Sequence, residues 1–283
     1  MRAMHVILEV QWGPLASQRA AIPPGGSLRV GRTERADFVV SHDRQMSGIH
    51  FELSWDGACC RVRDLGSDTG TWLDGQPVHE GDARHTSWIR AGDTVFMVCF
   101  EGATSHPRTD DSPEVASRKE SALAALRAEG APLFALLDGA RTTRIRELLR
   151  ESVDDHRSLY EGAQGDAIGE AAPYLVRLSK DGALLSHLVA EGWGQSWGVY
   201  LTSERPLVDV RRHLRRLLMV EAEGEPQRLY FRFYDPRVLR RFLPQSNVRQ
   251  RAEMFGAVIG AFLMEGEQGD LVHAPALAPR ESR

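Results

Sequence analysis

The chain is 283 residues long, enough for two domains of ordinary size that each bury a core. It is 42% hydrophobic and 26% charged with a formal net charge of −4, a balance that gives no reason to expect a bulk nucleic-acid binder. No apolar run approaches the roughly 18–20 residues that cross a bilayer, and Met1–Trp12 lacks the basic-then-apolar layout of a secretory leader. The expectation is a cytoplasmic protein without membrane insertion.

Residues 1–102 read as all-β. Short runs (Met4–Val10, Ser27–Val30, Ile49–Trp55, Cys59–Arg63, Thr94–Phe100) are separated by turn signals such as Pro23-Pro24-Gly25-Gly26, Asp74-Gly75 and Ala91-Gly92-Asp93. Asp56-Gly57 between two apolar strands predicts a two-residue hairpin, whose turn needs positive φ. This spacing implies a sandwich or barrel. The adjacent Cys59 and Cys60, with Cys99 and no C-x-x-C, suit a reducing compartment and read as small hydrophobes.

Residues 103–117, rich in Pro, Ser, Thr and Asp, predict a flexible linker. From 118 to 270, strand-like runs (Pro132–Leu137, Tyr174–Leu178, Trp197–Thr202, Arg228–Tyr234) alternate with helical periods, which predicts an α/β domain. Two helices are well marked. Pro206–Val220 places Leu207, Val210, Leu214, Leu217 and Leu218 on one face and Arg211, Arg212, Arg215 and Arg216 largely on the other. That arginine face suits either a solvated surface or docking of an acidic partner. Asp235-Pro236 starts the second helix, with Asp as N-cap and Pro at the first helical position, and Pro244 stops it about two turns later. Residues 271–283 read as a frayed tail.

The stretch Leu28–Phe100 carries, in order, Leu28-Arg29-Val30-Gly31-Arg32, Ser47-x-x-His50, Asp64-Leu65-Gly66-Ser67-x-x-Gly70-Thr71, Gly75 and Gly92-Asp93. It closely resembles the forkhead-associated (FHA) family, β-sandwiches that read phosphothreonine peptides with loops at one end. The resemblance makes Arg32 a phosphate contact and Ser47 a hydroxyl donor to a phosphate oxygen. It makes Gly31 and His50 structural supports, and Gly48, Asp68, Thr69 and Gly70 the remainder of the peptide site. Arg35 and Arg44 lie on the same loops and add positive field. Two positions depart from the family: Thr69 replaces its usual Asn before Gly70, and Gly48 its usual polar or basic side chain. Asp68 adds a carboxylate that would oppose a phosphate.

The second half contains Ala135-Leu136-Leu137-Asp138-Gly139-Ala140, Ser158-Leu159-Tyr160-Glu161-Gly162, Ala172-Pro173-Tyr174-Leu175-Val176, the block Gly192–Gly198 with Trp193 and Trp197, and Phe231-Arg232-Phe233-Tyr234-Asp235-Pro236. It resembles domain-of-unknown-function family 4123, adaptor chaperones of bacterial type VI secretion. That implies a non-enzymatic protein without cofactor or metal, whose partners are a secreted effector and the spike of the secretion machine. Asp138, Tyr160, Trp193, Trp197, Arg232, Tyr234 and Asp235 are its motif or partner-binding candidates. In Leu229–Tyr234 alternation sets Tyr230, Arg232 and Tyr234 on one face, where the arginine can stack on tyrosine and pair with a buried acid, Asp138 or Asp235. A signalling scaffold in a Ser/Thr kinase pathway stays open as the alternative function.

Gly194-Gln195-Ser196-Trp197-Gly198 also spells G-x-S-x-G. A hydrolase needs that serine between a strand and a following helix. Here a predicted helix, Leu184–Glu191, precedes it and a predicted strand follows, so no catalytic role is expected.

Overall fold

A computed structural model of the chain describes residues 4–104, 111–160, 172–221 and 228–276. It divides into two compact units, one centred on residues 4–104 and one on 111–149 and 154–276.

The first unit is a β-sandwich. Its strands are β1 (Val6–Val10), β2 (Arg19–Ile22), β3 (Gly26–Gly31), β4 (Phe38–Val39), β5 (Phe51–Trp55), β6 (Cys60–Asp64), β7 (Thr71–Leu73), β8 (Gln76–Val78), β9 (Glu80–Ala83), β10 (Trp88–Ala91) and β11 (Thr94–Phe100). One sheet runs β2-β1-β11-β10-β7-β8 and the other β4-β3-β5-β6-β9. Alternation along β5 sends Phe51, Leu53 and Trp55 inward, where they meet Val6, Leu8, Ile89, Phe96 and Val98 of the opposing sheet. The predicted two-residue hairpin at Asp56-Gly57 is instead a four-residue connection, residues 56–59. Gly57 takes φ +101°, and the Asp56 carboxylate accepts from the Ala58 and Cys59 amides, both at 2.7 Å, which lengthens the turn. Cys60 and Cys99 are buried, and burial pushes both thiols up to about 12, so they behave as hydrophobes.

The second unit contains α1 (Pro113–Ala128), β12 (Leu133–Asp138), α2 (Thr143–Arg150), β13 (His156–Ser158), β14 (Pro173–Leu178), α3 (Ala183–Gly192), β15 (Gly198–Thr202), α4 (Leu207–Arg216), β16 (Met219–Glu221), β17 (Arg228–Tyr230), α5 (Pro236–Gln245), α6 (Val248–Phe255), β18 (Ala261–Glu265) and β19 (Leu271–Pro275). The main sheet, ordered β13-β14-β12-β15-β18-β19, is antiparallel in each described pair. Helices cover both of its faces. Leu133, Ala135 and Leu137 of β12 pack with residues of α1, α2 and α3, while Phe134 and Leu136 pack with residues of α4, α5 and α6. This two-sided burial explains why β12 reads as an unbroken apolar run. Among the described residues no helix is long and apolar enough to cross a membrane.

Five elements differ from the sequence expectation. Ser112 caps α1 with Pro113 at its first position, so residues 113–117 are helical rather than linker. β19 pairs along β18 from Leu271 to Pro275, so that part of the expected tail is an edge strand. The helix expected to reach Val220 ends at Arg216, because Met219–Glu221 pairs with Arg228–Tyr230. The strand expected over Arg228–Tyr234 ends at Tyr230, where that short partner runs out, and the chain turns into the N-cap of α5. Pro244 lies inside the last turn of α5 rather than ending it. Glu161, Gly162 and residues 277–283 lie outside the described residues.

Within this unit His213 is buried, with Nε2 2.9 Å from the Met254 carbonyl. A carbonyl only accepts, so Nε2 carries the proton. Burial, helped by the Arg216 charge and opposed by the Met254 bond, pushes its pKa below the ordinary value. The unfolded chain therefore takes up the proton first. The stability that neutral His213 contributes is complete above the unfolded pKa and is lost as pH falls toward the lower folded one. The urea midpoint of the wild-type chain should fall more between pH 7.5 and 5 than that of a His213→Gln variant. Parallel pH profiles would refute this.

Candidate functional site

Three loops meet at one end of the sandwich, and His50 ties two of them together. It is completely buried; its Nδ1 accepts from the Ser47 amide at 3.1 Å and its Nε2 donates to the Gly70 carbonyl at 3.1 Å. This pair of bonds requires the neutral Nε2–H tautomer. The β3–β4 and β4–β5 loops are joined along their backbones. Arg32 N–H donates to Ser47 O at 3.0 Å and Thr33 N–H to Gly48 O at 3.2 Å, and the Thr33 hydroxyl reaches the same Gly48 oxygen at 2.9 Å. Gly31 permits this approach: a Cβ there would lie 2.3 Å from Gly48 O and 2.7 Å from Ile49 Cα.

On this frame Arg32 is exposed, with Nε bonded to Met46 O at 3.1 Å, which fixes the guanidinium at the rim. Ser47 is half-buried, and its hydroxyl donates to Asp68 Oδ2 at 3.1 Å while accepting from the Asp68 amide at 3.0 Å. Thr69, standing where the family has Asn, donates its hydroxyl to Gln45 O at 3.0 Å and so ties loop to loop. Gly70 adopts φ +73°. Arg35 and Arg44 are exposed on the same two loops as Arg32 and Ser47.

Two carboxylates that sequence reasoning passed over hold these loops. Asp64 accepts from the amides of Gly66 and Ser67 and from the hydroxyls of Ser67 and Thr71, both at 2.6 Å. Burial would raise its pKa, but the Ser67 and Thr71 hydroxyls and the Ser67 and Gly66 amides together outweigh that and hold it low. Asp43 does the same with the Gln45 and Asp93 amides and the Thr94 hydroxyl. The Asp64-x-x-Ser67 spacing was the available signal, since Asp bonds readily to backbone two and three residues on.

In the second unit the candidate residues fall into two linked groups. Asp138, at the end of β12, has no solvent exposure and receives Arg232, whose guanidinium also lies 5.8 Å from the Tyr234 ring centroid. Asp235 caps α5 through the Arg237 amide at 2.9 Å and accepts from the side chains of Arg237 at 2.7 Å and Arg141 at 2.6 Å. Burial raises the Asp235 pKa, yet the Arg237 bonds and the Arg141 charge hold it below the carboxylate norm. Arg141 also stands 3.6 Å from Asp138, so the two acids share it. Tyr160, Tyr230 and Tyr234 form a hydroxyl chain with steps of 2.6 and 3.2 Å. Partial desolvation of its hydroxyl within this chain, together with those bonds, pushes the phenol of the otherwise exposed Tyr230 above its ordinary value.

The Asp138 amide donates to Trp197 O at 2.8 Å, which leads to the second group. Trp193 is buried with its indole N–H on Gly269 O at 2.8 Å; Trp197 is half-buried and lines a small pocket with Trp193, Tyr200 and Glu265. Ser196 of the G-x-S-x-G stretch donates its hydroxyl to Glu265 at 3.0 Å, and the Gly194 and Ser196 amides donate to the same carboxylate. The serine sits between α3 and β15, the reverse of the strand-to-helix order of a nucleophile elbow. On the arginine face of α4, Arg211 donates to the Ser158 and Tyr160 carbonyls and Arg212 pairs with Asp209. Arg211 is therefore a support for the Tyr160 segment.

The first unit thus has the fold and loop frame of a phosphopeptide-recognition sandwich, and the second is an α/β module in which buried Asp138, Asp235 and Tyr234 meet partly exposed arginines. Residues 28–96 match the family model described as FHA domain, and residues 133–253 match domain of unknown function DUF4123. The chain carries an FHA domain followed by a DUF4123 domain. FHA domains are phosphopeptide-binding interaction modules, and DUF4123 is a family linked to secretion adaptors. Solved structures similar to the chain include the FhaA FHA domain, solved in complex with an intracellular domain of another protein (30% identity over 33% of this chain and 98% of that chain, TM-score 0.30). Two others are an FHA domain of an Arabidopsis thaliana hypothetical protein (24%, 38% and 92%, TM-score 0.33) and one of a Chlamydia trachomatis protein (22%, 34% and 96%, TM-score 0.32). No curated protein matches the chain.

Proposed function

We propose that the chain is a non-catalytic cytoplasmic adaptor that holds a type VI secretion effector through its DUF4123 domain and helps load it on the spike, while its FHA domain grips a phosphothreonine segment of a second protein. The observation that carries the phosphopeptide half is the His50 brace. It holds the Ser47 and Gly70 loops together and leaves Arg32 exposed at their rim, which suits a fork of donors facing a phosphate. The effector half is supported by the family match and by the exposure of Tyr230 and Arg232 beside the buried cluster, an aromatic and an arginine of the kind that anchors protein interfaces.

Titration of the full-length chain with a degenerate phosphothreonine peptide pool tests the first half. Binding should be lost on dephosphorylation and fall by about 10- to 100-fold in Arg32→Ala, the worth of hydrogen bonds to a charged group. Equal binding of phosphorylated and unphosphorylated pools would end the reading. Affinity purification from secreting cells tests the second half. Recovery of an effector and a spike protein supports loading, whereas recovery of kinase-pathway proteins alone supports a signalling scaffold.

A further inference from the structure

The hydroxyl that the phosphate reading assigns to the ligand is bonded to a carboxylate of the same chain. Ser47 Oγ and Asp68 exchange two hydrogen bonds across 21 residues of sequence, 3.1 Å to the carboxylate and 3.0 Å from the amide. A carboxylate oxygen and a phosphate oxygen make the same demand on a hydroxyl: both are anionic acceptors. The two acids of the 64–70 loop differ in orientation. Asp64 is turned inward onto Ser67 and Thr71, while Asp68 is exposed on the side of Ser47 and the Arg32 loop. A phosphate that takes Ser47 must displace the Asp68 carboxylate and then lie beside it, and like charges at that range repel. A cationic side chain next to the phosphothreonine would pair with the displaced carboxylate and remove that opposition.

We propose that Asp68 is a specificity-determining residue of the FHA site, an internal competitor for Ser47 that admits phosphothreonine peptides carrying Arg or Lys beside the phosphothreonine and disfavours those with acidic neighbours. This rests on the reading of Arg32 and Ser47 as phosphate contacts. It goes further by assigning the ligand's flanking charge.

The test uses the full-length chain and two phosphothreonine peptide pools, one with Arg or Lys at the flanking positions and one with Asp or Glu. The wild type should bind the basic pool about tenfold more tightly than the acidic one. Asp68→Ala, which removes the acceptor, should raise affinity for the acidic pool by about tenfold and leave the pools within a factor of two or three. Asp68→Asn, which keeps an acceptor but no charge, should fall between. Since Asp68 is exposed, both variants should melt with the wild type. An unchanged pool ratio in Asp68→Ala, with Arg32→Ala still abolishing binding, overturns the role of Asp68 alone. Failure of both pools to bind any variant, or indifference to Arg32→Ala, overturns the phosphate reading and this inference with it.

Discussion

Gly31→Ala should destabilise the FHA domain by about 3 kcal/mol, at the upper end of ordinary overpacking, and abolish its peptide binding. The added Cβ would meet backbone, Gly48 O at 2.3 Å and Ile49 Cα at 2.7 Å, and backbone has no rotamer by which to escape. Relief requires the β4–β5 loop to leave the Arg32 loop. That movement breaks the Arg32–Ser47 and Thr33–Gly48 bonds and pulls Ser47 away from His50. Gly48→Ala is the matched control, since its Cβ would meet only the Thr33 side chain, no closer than 3.4 Å. Thermal unfolding and peptide titration should separate the two variants widely. Equal melting temperatures would mean that the loop approach is not what constrains Gly31.

The second large effect is expected at the Asp138–Arg232 pair. Asp138 has no exposed surface, whereas nearly half of the Arg232 side chain is in solvent, so the cost of breaking the pair is lopsided. Arg232→Met leaves a buried carboxylate with the Ala140 amide at 3.2 Å and an Arg141 at 3.6 Å that it shares with Asp235, and should cost about 3 kcal/mol in urea unfolding. Arg237→Met should cost about 1 kcal/mol or less, because Arg237 is mostly exposed and Asp235 keeps Arg141 as well as its cap bond. If Asp138→Asn is combined with Arg232→Met, the pair should lose less than the sum of the single changes. Additivity within a few tenths of a kcal/mol would show that the two side chains do not work as a pair.

Much of this architecture is readable along the chain because it is written in local chemistry. Glycine and proline turns bracket the sandwich strands, and the Asp235-Pro236 cap fixes the start of α5. The helix–glycine–strand order around Ser196 is visible before any coordinates. Arg32, Ser47 and Gly70 follow from ordered motifs. What escaped depends on partners distant in sequence. Leu229–Tyr234 alternates as a strand should, but a strand lasts only as long as its neighbour, and β16 offers three residues. Leu271–Pro275 looks like a loose tail because its apolar signal is weak, and only the free edge of β18 makes it a strand. Ser112-Pro113 is a good helix start concealed in a composition that reads as linker. The Ser47–Asp68 bond is of the same kind. Both residues are evident in the motif, but which way a carboxylate turns across two loops is a property of the closed fold.

β12 has a consequence beyond its two faces. With odd residues in one hydrophobic compartment and even residues in the other, it is a wall common to both. Helices α1 to α3 cannot be shed while α4 to α6 remain docked, because baring one side of β12 leaves apolar side chains in water along the whole strand that anchors the other. The two compartments of the DUF4123 unit are therefore coupled through one strand, so loosening either weakens the support of the other.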